Sequence, residues 1–112
     1  LARFIFSDNY NAALERIEDH ILLSTGDIDY VGRFLDEHDQ VLAFIGQNPH
    51  TPAIHPVTGD QSWVFGDGHY RLFFKAIVKN TELTVYLTHI IDNRQANLDV
   101  YPLNKLPTYD DE

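Results

Sequence analysis

Two alternating, β-rich runs stand close together in this chain. Tyr70-Arg71-Leu72-Phe73-Phe74-Lys75-Ala76-Ile77-Val78 is separated from Leu83-Thr84-Val85-Tyr86-Leu87-Thr88-His89 by a short segment containing Asn80. Such runs flanking a tight turn predict a β-hairpin, with strands at about 69–78 and 82–91. Side chains alternate across a strand. Tyr70, Leu72, Phe74, Ala76 and Val78 therefore point one way, and His69, Arg71, Phe73, Lys75 and Ile77 the other. In the second strand Leu83, Val85, Leu87 and His89 alternate with Thr84, Tyr86, Thr88 and Ile90. The more apolar set needs a covering layer. The opposite face then presents Arg71, Phe73, Lys75, Tyr86 and Thr88, and basic and aromatic groups on an uncovered sheet face make a binding surface.

The covering layer is encoded upstream. Arg3-Phe4-Ile5-Phe6 reads as a first strand, and Ser7 or Asp8 can accept from the free amides of a helix start. Tyr10, Ala13, Leu14, Ile17 and Ile21 follow at helical spacing, and Gly26 suits the left-handed helix stop. Asp27 or Asp29 opens a second helix carrying Val31, Phe34, Leu35, His38, Val41, Leu42 and Ile45, which ends at Asn48-Pro49. Two helices joined by so short a loop form a hairpin whose apolar stripes need the sheet. A turn-rich stretch, 50–60, leads to a short strand at Ser62–Phe65 and the Gly66-Asp67-Gly68 turn. The expected core is Leu14, Ile17, Ile21, Phe34, Val41, Leu42, Leu72, Phe74 and Val85.

At 112 residues the chain is one domain, with an extended acidic tail at 102–112. It has no cysteine, which excludes a disulfide framework and thiolate chemistry and fits a reducing cytoplasm. No apolar run approaches the roughly 20 residues of a membrane span, and no signal peptide is visible. The net charge of −9 argues against nucleic-acid binding. That charge is uneven. Residues 1–48 hold Arg3, Arg16 and Arg33 against nine acids, whereas 49–105 hold five of each sign, and Asp110, Asp111 and Glu112 close the chain.

The order of elements, the Tyr70-Arg71-Leu72-Phe73 strand and the late Arg94 resemble the ParE/RelE superfamily of toxin–antitoxin toxins over roughly residues 2–95. The resemblance implies an α+β fold: a helical hairpin packed on one face of a mostly antiparallel, twisted sheet in β-α-α-β-β-β order, over a toxin domain of residues 1–101. It also implies a cognate antitoxin as partner, with operator DNA met only through that antitoxin, and a cytoplasmic location. Two mechanisms exist among such toxins. RelE-like members are ribosome-dependent endoribonucleases, and the residues that would serve here are Arg71, His89, Arg94 and Tyr101. ParE-like members poison DNA gyrase through a protein interface, for which Arg71, Phe73, Lys75, Tyr86 and Arg94 are the candidates. A third possibility is a degenerate toxin that keeps only antitoxin binding.

Each candidate has a plainer reading. Arg71 could pair across strands with Glu82 or stack on Tyr86. His89 could be a strand residue within an apolar alternation, and it stands further from Arg94 than the compact histidine–arginine arrangement of such toxins. Tyr101, before Pro102, could anchor a tail. An RNA-gripping enzyme draws its affinity from phosphate neutralisation, and the sheet half offers only Arg71, Lys75, Lys79, Arg94 and Lys105. The gyrase reading is therefore preferred over the ribonuclease. His50, His55, Asp60 and His69 cluster in sequence without a zinc-like spacing, so neither metal nor cofactor is expected.

Overall fold

The computed structural model describes residues 2–94. Six elements follow in the expected order: β1 (Arg3–Phe6), α1 (Asp8–Thr25), α2 (Ile28–Gln47), β2 (Gln61–Phe65), β3 (Tyr70–Lys79) and β4 (Glu82–Asp92). The Ser7 hydroxyl accepts from the Tyr10 amide at 3.0 Å and caps α1. Gly26 stops that helix with φ 67°, its amide donating to the Leu22 carbonyl. One residue later the Asp27 carboxylate accepts from the Asp29 amide and starts α2. Each polar cap is worth about 1 kcal/mol over alanine. Two adjacent residues, Gly26 and Asp27, thus end one helix and begin the next.

The four strands form a single sheet in the order β1-β4-β3-β2. β2–β3 and β3–β4 are antiparallel, while β1 lies parallel to β4, with Phe4 opposite Val85 and Phe6 opposite Leu87. Asn80 and Thr81 form the two-residue β3–β4 turn, both with positive φ (52° and 65°). That combination matches the right-handed twist of paired strands. Both helices pack on the same sheet face. Ala13, Ile17 and Ile21 of α1 and Phe34, Val41, Leu42 and Ile45 of α2 share one core with Leu72, Phe74, Val85 and Leu87, and Leu14 packs against it. At its far end Phe44 of α2 stacks on Trp63 of β2, ring centroids 4.9 Å apart.

β4 departs from simple alternation. Phe73 stands opposite His89 and Phe74 opposite Leu87, so Thr88 is an extra residue bulged out of the ladder. A bulge shifts the strand's facing by one residue. Before it, Leu83, Val85 and Leu87 face the helices. Beyond it, Ile90 joins the core and His89 turns to the opposite face. The period-two expectation, which put His89 with Leu87 and Ile90 with Tyr86, is corrected here.

Candidate functional site

The sheet face away from the helices carries Arg71, Phe73 and Lys75 of β3, with His89 and Tyr86 of β4 opposite Phe73 and Lys75. This face was expected to lie uncovered, but half of it is roofed. After α2 the chain runs through residues 48–60 and reaches the edge of β2, where Ile54 bridges to Gln61 and the Ser62 amide donates to the Ala53 carbonyl at 3.1 Å. The Gln61 side chain ties this segment down, donating to the Pro49 and Pro52 carbonyls at 2.7 and 2.9 Å. The His55 ring sits edge-on over Phe73 at 5.2 Å, and Phe73 is fully buried. Phe73 is therefore not an exposed anchor.

Asp60 pins the roof. Its side chain is wholly buried, pairs with the Lys75 ammonium and accepts from the Thr88 hydroxyl at 2.9 Å. The same hydroxyl reaches the Phe73 carbonyl at 3.2 Å. The bulge residue thus supplies the donor that a buried carboxylate requires. The sequence marked Asp60 only as one of a cluster with His50, His55 and His69, not as a buried acid. A signal for the roof was the large aromatic Phe73 between Arg71 and Lys75 in its row, which demands a cover.

Arg71 lies at the rim of this roof. Its guanidinium donates to the Ser62 hydroxyl at 2.7 Å, while its Nε is buried without a partner. It stands opposite Ile91, whereas Glu82 and Tyr86 stand opposite Lys79 and Lys75, so neither expected partner is its cross-strand neighbour. Arg71 lines an open groove of about 580 Å³ with His55, Ser62 and Val64. Burial, with Arg71 adding a like charge, lowers the His55 pKa. His89 is lowered too, by burial and then by Arg16.

Arg94 is not part of this face. Its guanidinium grips the buried Asp92 at 3.2 Å and donates to the Tyr70 hydroxyl at 2.8 Å, and Tyr70 packs on Phe34 of α2 at 4.7 Å. Arg94 therefore belongs with the helical side, where an open groove of about 790 Å³ runs past Tyr30, Arg33, Glu37 and Tyr70. Of the five residues read as one binding surface, the fold brings together Arg71, Phe73, Lys75 and Tyr86 and sends Arg94 elsewhere. Tyr101 lies outside the described residues. Among those residues no three His, Asp or Glu side chains gather as a metal-binding group.

A buried polar pair joins the two helices. The Tyr10 hydroxyl and His38 Nε2 are 2.6 Å apart, and His38 Nδ1 is 3.4 Å from the Asp39 carboxylate. Desolvation outweighs Asp39 and lowers the His38 pKa, so the neutral ring accepts from Tyr10, whose own pKa burial raises. With both groups inside the aromatic core, against Phe6, Phe34 and Phe65, the pair ties α1 to α2.

No helix among the described residues is long and apolar enough to cross a membrane. No protein-family model matches the sequence, and no curated protein does. Among solved structures, a chain of a chromosomal ParDE toxin–antitoxin system from P. aeruginosa superposes with a TM-score of 0.62 at 16% identity, covering 81% of this chain and 95% of that one. A helical hairpin on one face of a four-stranded sheet, in the order β-α-α-β-β-β and matched over nearly all of that neighbour, is the fold that this chain shares with the ParDE system chain.

Proposed function

We propose that this protein is the toxin of a type II toxin–antitoxin module, acting through a protein interface with DNA gyrase and neutralised by a cognate antitoxin. The carrying observation is the fold shared with a ParDE chain over most of both molecules. The choice of gyrase over messenger RNA rests on the state of the cations. Cutting RNA without a metal needs arginines and lysines free to meet the transferring phosphate. Here Lys75 pairs with Asp60, Arg94 with Asp92, and Arg71 donates to Ser62. That arrangement supports a non-enzymatic reading, in which the cations shape a surface.

The test is induced expression in a bacterial host, followed by two assays on the purified protein. Growth arrest reversed by the product of a small adjacent gene, with loss of gyrase supercoiling and intact messenger RNA, is the expected result. Arg71→Ala should weaken gyrase inhibition by about thirtyfold, the loss of a roughly 2 kcal/mol anchor, with the thermal midpoint little changed. Ribosome-dependent cleavage abolished by Arg71→Ala would instead establish the ribonuclease. Absence of any growth defect would remove the toxin reading.

A further inference from the structure

The last turn of the roof, His55-Pro56-Val57-Thr58-Gly59-Asp60, is built around one imidazole. Pro56 favours an extended His55, and Gly59, with φ 79°, turns the chain back. Three hydrogen bonds of the turn then meet at His55. Its amide donates to the Asp60 carbonyl at 2.7 Å, its carbonyl accepts from the Gly59 amide at 2.9 Å, and its ring Nδ1 accepts from the Val57 amide at 3.2 Å. The last of these exists only while Nδ1 keeps its lone pair, so the ring is neutral with its proton on Nε2. The same ring lies edge-on over Phe73 at 5.2 Å and helps to leave Phe73 wholly buried.

The surroundings oppose a charge on that ring. Arg71 and Lys75 flank Phe73 in β3, and His89 reaches it from β4 with ring centroids 6.1 Å apart. β2 adds the uncharged Ser62 and Val64. Asp60 is the turn's own carboxylate, and Lys75 and Thr88 already hold it. Arg16 of α1 adds its positive charge at His89. Burial, and then Arg71, accordingly lower the His55 pKa.

We propose that His55 is a proton-operated latch: a second proton on its ring breaks the bond from Val57, and residues 55–59 lift off the sheet, baring Phe73 beside Arg71. The anchors on either side need no titrating group. Ile54 bridges to Gln61, the Ser62 amide donates to the Ala53 carbonyl, and Gln61 holds the Pro49 and Pro52 carbonyls. Opening is therefore local, with the four-stranded sheet left intact. Protons bind the lifted turn more tightly than the closed one, so the latch is fully closed above about pH 6.5 and loosens as pH falls below it. The proposal is independent of the toxin reading, and its failure would leave that reading untouched.

The experiment is amide exchange of the full chain, read residue by residue by NMR and corrected for the chemical pH dependence of exchange itself. Between about pH 7.5 and about pH 5.5 the protection of the Val57 and Gly59 amides should fall by about five- to tenfold, the response to one added proton, while the β3 amides keep theirs. His55→Asn is the discriminating variant, because an asparagine oxygen accepts from the amide two residues on and does not titrate. Its turn should stay closed across the whole range. Titration of isotope-labelled histidine side chains in the natural chain should place the His55 inflection below the ordinary histidine value and at the pH where Val57 protection falls. That coincidence decides the question even if the variant does not fold. Unchanged corrected protection overturns the proposal, as does an equal fall in His55→Asn or a His55 inflection apart from the loss at Val57. A parallel loss in β3 also overturns it, because the whole protein is then unfolding.

Discussion

Removing the cation that faces Asp60 should loosen the roof before it unfolds the protein. The Asp60 side chain is wholly buried, and that of Lys75 is half exposed. Breaking a fully buried pair at one end costs about 3–5 kcal/mol because a charge is stranded, while an exposed pair is worth about 0–1 kcal/mol. With one partner in each environment, Lys75→Met should cost about 2 kcal/mol. Asp60→Asn keeps an acceptor for the Thr88 hydroxyl and should cost about 1 kcal/mol. The double variant strands no charge, so its cost should fall below the sum of the singles by about 1–2 kcal/mol. Urea unfolding followed by Trp63 fluorescence and circular dichroism measures the cycle, since the chain's single tryptophan stacks on Phe44 and reports on helix–sheet packing. Amide exchange supplies the second readout. In Lys75→Met the amides of His55 and Ser62, which donate to the Asp60 and Ala53 carbonyls of the roof, should exchange well ahead of those in β3. Additivity within about 0.5 kcal/mol, with unchanged protection at those two amides, would refute the view that this pair holds the roof.

Three further outcomes follow from features already described. Tyr10→Phe leaves His38 Nε2 buried without its 2.6 Å partner and should destabilise by about 1–3 kcal/mol, while Tyr10→Phe with His38→Leu should recover part of that loss; equal stability of Tyr10→Phe and the natural chain would refute it. His38, His55 and His89 all have pKa values lowered chiefly by burial, so the unfolded chain takes up protons first: stability should be full above about pH 6.5 and fall as pH drops below it towards the folded values, and a flat urea midpoint from pH 7.5 to about 5.5 would contradict this. Thr81 is a β-branched residue held at φ 65°, so Thr81→Gly should raise stability by about 1 kcal/mol, readable as a higher thermal midpoint; a lower midpoint would mean that the turn is not strained.

The elements were legible because local chemistry specifies them. Ser7, Gly26 and Asp27 mark the helix ends, and helical spacing marks the buried faces of α1 and α2. The hairpin was legible from its two alternating runs. The site was less so, because two of its determinants are non-local. The bulge at Thr88 exists for a carboxylate 28 residues away, and alternation alone carried the facing of β4 one residue too far. The adjacent Ile90 and Ile91, both buried, were the trace of that break. Arg94 was misplaced for the same reason: Asp92, which holds it, follows the reversed facing. The roof over Phe73 depends on a buried acid that composition cannot distinguish from a surface one.

The parallel pairing of β1 with β4 sets the order in which this sheet can be made. A ribosome releases Arg3–Phe6 ahead of the other described elements, yet their hydrogen-bonding partners at Thr84–Leu87 come more than seventy residues later. Until then α1 and α2 can form and cap themselves, but the apolar stripes that meet in the core have no sheet to rest on. Contacts of such sequence separation fold slowly, because the chain must be closed before they repay its entropy. The nascent protein thus passes through synthesis with its helical hairpin exposed, and the surface formed by β1 and β4 together comes into being only when β4 has left the ribosome.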